Sequence, residues 1–137
     1  MKNLFLILFI FCFSLAAKNA NAQAAATGEC TIHIFLKGQV GQVYVHDSLI
    51  MGMNKDEALE YKMTAKGRES FSIKLDDIYG TSLTVDTKKQ PHYYIIVYKT
   101  LYPMPGARNK IVDAAEWKKE SKNFKELIKI NANAKTE

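Results

Sequence analysis

The sequence predicts a mostly β protein, an antiparallel β-sandwich of about seven strands with one C-terminal α-helix packed on it. Three observations lead to this fold class. Short segments of alternating polar and apolar residues recur about every 8 to 12 residues, with turn-forming residues between them. Residues 92–98 form a dense run of aromatic and β-branched side chains, which is typical of a covered strand. A helical period is found only after Pro103.

Seven segments have the period of two that is typical of strands. They are residues 30–37, 42–46, 49–53, 59–64, 70–75, 82–86 and 92–98. The last segment has two apolar faces, which are Tyr93, Ile95, Val97 and Tyr94, Ile96, Tyr98. We therefore expect it to be the last strand in the sequence and a central one in space, covered on both sides.

The helix is predicted after residues 101–106, where two prolines and a glycine exclude both a helix and a central strand. Asp113 and Glu116 have the spacing of a capping box, with Asp113 as the N-cap. A helix from there to about Ile130 has an apolar stripe. The stripe consists of Trp117, Ser121, Phe124 and Ile128. We expect the helix to cover one face of the strand at residues 92–98.

Residues 1–22 have the pattern of a secretory signal peptide. Lys2 provides a positive start, residues 4–15 are apolar, and Ala20-Asn21-Ala22 is a small-x-small cleavage site, so we expect cleavage before Gln23. The apolar segment is too short to span a bilayer, which takes roughly 20 residues, and no later segment approaches that length. The neighbours of the two cysteines argue against a lipid anchor, because Phe11 precedes Cys12 and Glu29 precedes Cys30.

The mature chain is therefore expected to be exported to the periplasm or the extracellular space. It divides into a flexible leader at residues 23–28, one β-sandwich domain with its helix at 29–130, and a polar tail at 131–137. The absence of an Asn-x-Ser/Thr sequon favours a bacterial exported protein over a glycoprotein.

Charge and cysteine content narrow the function further. Cleavage removes Lys2 and Lys18, so the 19 basic residues become 17 against 14 acidic ones, a net charge of +3. This mild excess does not require a polyanionic partner, and we expect no nucleic-acid binding. Cys30 remains as a single cysteine on the apolar face of the first strand. We expect a buried, unreactive thiol, with a reactive or dimer-forming thiol as the alternative.

Two stretches resemble a known family. Residues 43–52, Val-Tyr-Val-His-Asp-Ser-Leu-Ile-Met-Gly, are similar to the hairpin of small exported β-sandwich domains, including PEGA-type domains and a related bacterial family of unknown function. Residues 83–97 resemble the last two strands of those domains. His46 replaces the usual Asp or Asn, and Gln90-Pro91 replaces the Gly turn. The resemblance implies the sandwich fold and no catalytic residue.

Catalytic and metal sites have no visible candidate in the sequence. His33, His46 and His92 lack paired spacing, and a metal site needs at least three converging ligands, so we interpret them as surface or turn residues. A nucleophile needs a base in reach, and no such motif occurs. Asp76-Asp77 are interpreted as a solvated turn. We expect no catalytic residue, no metal and no cofactor.

Two groups of residues remain as possible ligand or partner contacts. The aromatic group is His92, Tyr94 and Tyr98, which share one strand face and can stack on sugars or anchor a protein. The alternative, which we favour, is that the helix or the second sheet buries these tyrosines. The basic group is Lys118, Lys122, Lys125 and Lys129, one face of the predicted helix. It is suited to an anionic envelope surface or an acidic partner. The alternative, which we favour, is a solvated helix face whose positive field is reduced by nearby glutamates.

These observations favour a non-enzymatic exported envelope or interaction module, with an unknown protein or cell-envelope partner. The alternative is a domain that binds a glycan or peptide through exposed tyrosines. A small hydrolase without a local motif is a third possibility, because catalytic sites can converge without leaving a sequence pattern.

Overall fold

The computed structural model describes residues 28–75 and 79–134, and these residues form nine strands and one short helix. The strands are β1 (Glu29–Leu36), β2 (Gly41–Val45), β3 (Ser48–Met53), β4 (Glu57–Thr64), β5 (Arg68–Leu75), β6 (Tyr79–Asp86), β7 (His92–Thr100), β8 (Gly106–Val112) and β9 (Glu126–Asn131). The helix, α1 (Ala114–Glu120), lies between β8 and β9. The predicted signal peptide, most of the leader, Asp76-Asp77 and the last three tail residues lie outside the described residues.

The strands form two sheets. One has five strands in the order β8-β7-β1-β4-β9, and the other has four in the order β3-β2-β5-β6. β1 pairs in parallel with β7, and β4 pairs in parallel with β9, while the remaining pairs are antiparallel. The prediction of a mostly β fold is confirmed. The predicted sandwich of about seven strands is roughly compatible with the nine strands in two sheets, to which β8 and β9 are additions. Two of the strand pairs are parallel, where the sequence predicted antiparallel pairing throughout.

The two sheets share one hydrophobic core, which their alternating apolar residues fill. Ile32 and Ile34 of β1 and Ile95 of β7 are fully buried in the same cluster as Phe71 and Ile73 of β5. β7 lies between β1 and β8, so the expectation of an internal strand is confirmed. It is not the last strand in the sequence, since β8 and β9 follow it.

The helix begins as predicted and ends earlier. The Glu116 amide donates a hydrogen bond of 2.7 Å to Asp113 Oδ1, which confirms Asp113 as the N-cap. The Ser121 amide and hydroxyl both donate to the Trp117 carbonyl, at 2.8 and 2.6 Å, and close the helix after Glu120. The predicted continuation to Ile130 is wrong. No helix in the described part of the chain is both long enough and apolar enough to cross a membrane.

The segment after the helix is a strand because its apolar residues fit a period of two. Ile128 and Ile130 of β9 pack against the main core, while Lys129 between them reaches Glu60 on the opposite face. The polar tail expected from Asn131 begins inside this strand. Asn133 continues the contact with β4 by accepting hydrogen bonds from the Thr64 amide and hydroxyl, at 3.0 and 2.7 Å.

The tight connection predicted near His46 is a two-residue hairpin turn. His46 and Asp47 both have positive φ, 47° and 65°, as a type I′ turn between β2 and β3 requires. The His46 Nε2 atom contacts a carboxylate oxygen of the buried Glu69. His46 therefore has a turn role, consistent with its interpretation from the sequence.

Candidate functional site

The candidate site lies on the outer face of the five-stranded sheet, the face directed away from the four-stranded sheet. Here a small apolar cluster of Phe35, Ala58 and Ile96 is buried, and Trp117 of α1 packs against it. The period of two places Tyr94 and Tyr98 on this face, on either side of Ile96. The expectation that a helix covers the outer side of β7 is therefore confirmed for the first turns after Asp113.

Three rings meet beside this cluster. The His33 and Tyr94 rings are stacked, with centroids 4.5 Å apart and planes 14° apart. Trp117 lies 5.9 Å from the His33 ring and 5.8 Å from the Tyr94 ring, both tilted. Its edge also meets Phe35 at 6.1 Å. Aromatic pairs at such separations stabilise packing beyond the area they bury, so these contacts hold α1 on the sheet.

His92 extends the aromatic group towards solvent. Its Nδ1 atom lies 3.3 Å from Nε2 of His33, within hydrogen-bonding distance when one ring donates and the other accepts. On the other side of the ring, His33 Nδ1 is 4.0 Å from Oε2 of Glu60. Burial lowers the pKa of His33. The charge of Glu60 has a smaller effect that raises this pKa, and the charges of His92 and Lys129 have smaller effects that lower it. This lowered pKa favours the neutral form of His33, while His92 is exposed.

A shallow groove of about 790 Å³ opens beside these rings, between β7 and the helical segment. We call it the aromatic groove. Three rings and three lysines dominate its wall, namely Tyr94, Trp117, Phe124, Lys118, Lys119 and Lys122. Phe124 is 38% exposed, and Tyr94 and Trp117 are half-buried. The sequence prediction that Tyr94 is buried is thus met only in part, because one side of the residue faces the groove.

The helix separates its charges between two flanks. Glu116 pairs with Lys110 at 2.7 Å, and Glu120 pairs with Lys37 at 2.6 Å, both on the flank away from the groove. On the groove side, Lys118, Lys119 and Lys122 form no salt bridge with any residue that the structure describes. The two glutamates of the helix are therefore paired on the other flank, although the charge of Lys119 still acts on Glu120. Among the described residues, the three groove lysines have no salt-bridge partner.

Tyr98 belongs to a different depression. It lines a cleft of about 440 Å³ on the far flank of α1, together with Ile96 and the two Lys–Glu pairs just described. The strand places Tyr94 and Tyr98 on the same face, but they line separate sites.

The predicted lysine stripe does not form, because the helix ends before most of it. Lys118 and Lys122 line the aromatic groove. Lys125 precedes β9, and its amide donates to the Asp56 carbonyl at 2.9 Å. Lys129 lies on β9, where its ammonium is 3.8 Å from Glu60 Oε1. Half of the predicted basic group is thus present at the site, while Lys125 lies just before β9 and Lys129 lies on it.

Some residues at the groove carry no signal of a site in the sequence. Lys119, Trp117 and Phe124 line the groove, and His33 lies beside it, stacked on Tyr94. The sequence pattern indicates only packing for Trp117 and Phe124 and an ordinary surface role for His33. His33 faces Tyr94 only because β1 and β7 pair in parallel with these two residues in register. No local pattern in either strand reveals that pairing.

Cys30 is 1% exposed, its thiol donates to the Gln90 carbonyl at 3.5 Å, and burial raises its pKa to about 11. The thiol is therefore protonated at neutral pH and a poor nucleophile, which confirms the prediction that Cys30 is buried. Within residues 28–75 and 79–134, no group of three or more His, Cys, Asp or Glu side chains is placed to hold a metal ion.

Comparison of the chain with protein-family models, curated proteins and solved structures finds no match.

Proposed function

We propose that the protein is a non-enzymatic exported module of the cell envelope, and that its aromatic groove binds an acidic segment of a protein partner. One observation carries the proposal. Three half-exposed or exposed rings lie beside three lysines that have no salt-bridge partner among the described residues. Aromatic anchors supply contact area with little loss of side-chain entropy, and unpaired cations favour a partner of opposite charge.

The arrangement fits an acidic peptide better than a free anion. The groove is open along one side and is built from rings as well as cations, so a segment with both carboxylates and apolar side chains gains from both. The rings contribute the apolar contact area, while the lysines at the rim raise the association rate and make it sensitive to salt.

Trp117 makes this proposal directly measurable, because it is the single tryptophan of the chain and lines the groove. We suggest titrating the protein with two synthetic peptides of equal length that share leucine and phenylalanine anchors, one rich in glutamate and one rich in lysine. The expected result is a saturable change in Trp117 emission with the glutamate-rich peptide, weakened by added salt. Equal responses to both peptides, or no response, would contradict the proposal.

Variants then locate the binding. Phe124→Ala removes an anchor, and the double variant Lys118→Gln, Lys122→Gln removes two charges from the groove. Each variant is expected to bind the glutamate-rich peptide with an affinity lower by about tenfold or more. The matched control is Lys88→Gln with Lys89→Gln, which changes net charge equally in the exposed turn after β6. Equal weakening by the control pair would mean that only overall charge matters.

A glycan is the second candidate, favoured by the partly open Tyr94 and Trp117 rings, which lie 5.8 Å apart. Sugars stack on aromatic faces with little need for charge. A neutral oligosaccharide that shifts Trp117 emission independently of salt, and equally in the double lysine variant, would select this candidate over the acidic peptide.

The export of the protein is part of the same proposal and is supported by the sequence of residues 1–22. Mass spectrometry of the protein from the exported fraction is expected to find an N-terminus at Gln23. A relation to PEGA-type domains is also proposed, supported by the motif that forms the β2–β3 hairpin. A chain that retains residues 1–22 and stays in the cytoplasm would contradict the proposed role at the envelope.

A further inference from the structure

The hairpin of β7 and β8 ends in an apolar tip, residues 101–105, which is separate from the groove. Leu101, Tyr102 and Met104 are 75%, 89% and 68% exposed, and Pro103 and Pro105 lie between and after them. From Tyr94 to Leu101 the chain runs about 23 Å along β7 at the rise of a strand. The exposure of these three apolar side chains is therefore not explained by binding at the groove.

The tip is held by the hairpin although its side chains are exposed. The Thr100 hydroxyl lies 3.4 Å from the carbonyl oxygens of both Met104 and Gly106, and it closes the base of the loop. Thr100 pairs with Gly106 at the last position of the β7–β8 ladder. Single exposed apolar residues are common on protein surfaces, but three large ones within four positions of one loop indicate a binding surface.

The size of the tip argues against a stable protein interface as its use. The three exposed side chains offer roughly 450 Å² in total, whereas a specific interface takes about 800 Å² from each partner. A lipid bilayer needs no complementary shape. It accepts apolar side chains below the headgroups and tyrosine at the headgroup level, and Leu101, Met104 and Tyr102 provide these two kinds of group.

The charge of the hairpin points to the same kind of surface. From Thr87 to Val112 the sequence contains no Asp or Glu, while β7 and β8 carry Lys99, Arg108 and Lys110. Arg108 is exposed on β8, two residues beyond Gly106. Lys99 lies over the Tyr79 ring at 4.8 Å, and Lys110 pairs with Glu116, so Arg108 is the side chain best placed for an anionic headgroup.

We propose that the apolar tip inserts into the headgroup region of an anionic phospholipid bilayer, with Arg108 facing the lipid phosphates. The tip then holds the protein at the membrane surface. This proposal does not depend on the groove, because it concerns other residues and a different ligand.

Vesicle co-sedimentation tests the proposal. The protein is expected to bind vesicles of mixed phosphatidylcholine and phosphatidylglycerol, and to bind pure phosphatidylcholine vesicles less. The triple variant Leu101→Ser, Tyr102→Ser, Met104→Ser is expected to lose about tenfold or more of this binding. The control is Leu49→Ser, which changes a side chain 55% exposed on the edge strand β3 and is expected to bind as the unmodified protein does.

A site-specific label shows whether the tip itself enters the bilayer. Met104→Cys can be labelled with nitrobenzoxadiazole while Cys30 stays protected by burial. The label is expected to brighten and shift to the blue on mixed vesicles, and the same label on Leu49→Cys is expected to stay unchanged. Circular dichroism and sedimentation velocity of each variant check that it is folded and report its oligomeric state.

Three outcomes would overturn the proposal. These are absence of binding to mixed vesicles, binding that the folded triple variant retains, and equal binding to pure phosphatidylcholine. A dimer that the triple variant abolishes, without vesicle binding by the unmodified protein, would assign the tip to a second copy of the chain instead. The vesicle experiments test the tip independently of the groove, so a failed peptide titration would not change how their results are interpreted.

Discussion

The rings of His33 and Tyr94 are stacked across the parallel pair of β1 and β7, with their centroids 4.5 Å apart. The two residues are register partners, and Trp117 lies against both rings. The same contact has two consequences. It fastens the short helix to the sheet, and it leaves one side of Tyr94 facing the aromatic groove.

The contribution of Trp117 to stability should therefore differ from that of Phe124. Trp117 packs against the buried cluster of Phe35, Ala58 and Ile96, whereas Phe124 is 38% exposed. Trp117→Ala is expected to lower the free energy of unfolding by about 2–3 kcal/mol, because a half-buried aromatic ring leaves a partial cavity. Phe124→Ala is expected to lower it by less than about 1 kcal/mol. Urea unfolding followed by circular dichroism measures both, and equal losses would contradict the packing described for the helix.

His33 should make stability depend on pH. Burial lowers its pKa from the ordinary value of 6.5, so the unfolded chain takes up this proton at a higher pH than the folded protein does. The stabilisation is complete above that ordinary value and is lost as the pH falls below it. Between pH 7 and pH 5, the free energy of unfolding should thus fall more in the unmodified protein than in His33→Gln. Urea unfolding at each pH measures the difference, and parallel pH profiles would show that His33 has no such role.

The neighbours of His33 allow a second check of the same electrostatics. The charge of Glu60 raises the pKa of His33 and opposes the effect of burial. Glu60→Gln is therefore expected to lower the pKa of His33 further, as measured by NMR titration of its ring protons. A higher pKa in that variant would mean that Glu60 is not the carboxylate that His33 experiences.

The parts of the fold that depend on residues close together in the sequence could be predicted from the sequence. The period of two with two apolar faces in β7 indicated an internal strand, and Asp113 followed by Glu116 indicated the start of the helix. The apolar alternation around Cys30 indicated that its thiol is buried. In each case the burial or the cap depends on neighbours within a few positions, and these are visible in a single sequence.

The parts that depend on distant partners could not be predicted in this way. The residues of β9, Glu-Leu-Ile-Lys-Ile-Asn, fit both a helix and a strand over such a short length, and only pairing with β4 decides between them. β8 is an edge strand with Arg108 and Lys110 exposed, so it lacks the apolar pattern of a covered strand. The groove depends on where the helix ends, because Lys118 and Lys119 lie in its last turn while Lys122 and Phe124 lie in the segment between α1 and β9.

Cys30 should react slowly in the folded protein. The thiol is buried and its pKa is raised to about 11, so very little thiolate is present at pH 8. A chain of residues 23–137, which has Cys30 as its single cysteine, is expected to react with an aromatic disulfide reagent at least about a hundredfold more slowly when folded than in urea. Absorbance of the released thiolate measures both rates. Fast reaction of the folded protein would place Cys30 at the surface and would support the alternative of a reactive thiol.

Gly41 has the most crowded β-carbon position among the glycines of this fold. A β-carbon there would lie 2.6 Å from the Lys74 carbonyl oxygen and 3.0 Å from the Leu75 side chain, across the pairing of β2 with β5. Gly41→Ala is therefore expected to lower the free energy of unfolding by about 2 kcal/mol, because the two strands must move apart. Gly52→Ala is the matched control, since nothing lies within 4 Å of its β-carbon position on the edge strand β3, and a change within about 0.5 kcal/mol is expected. Urea unfolding of the two variants side by side measures the difference. Similar stabilities would show that β2 and β5 do not approach each other as closely as described.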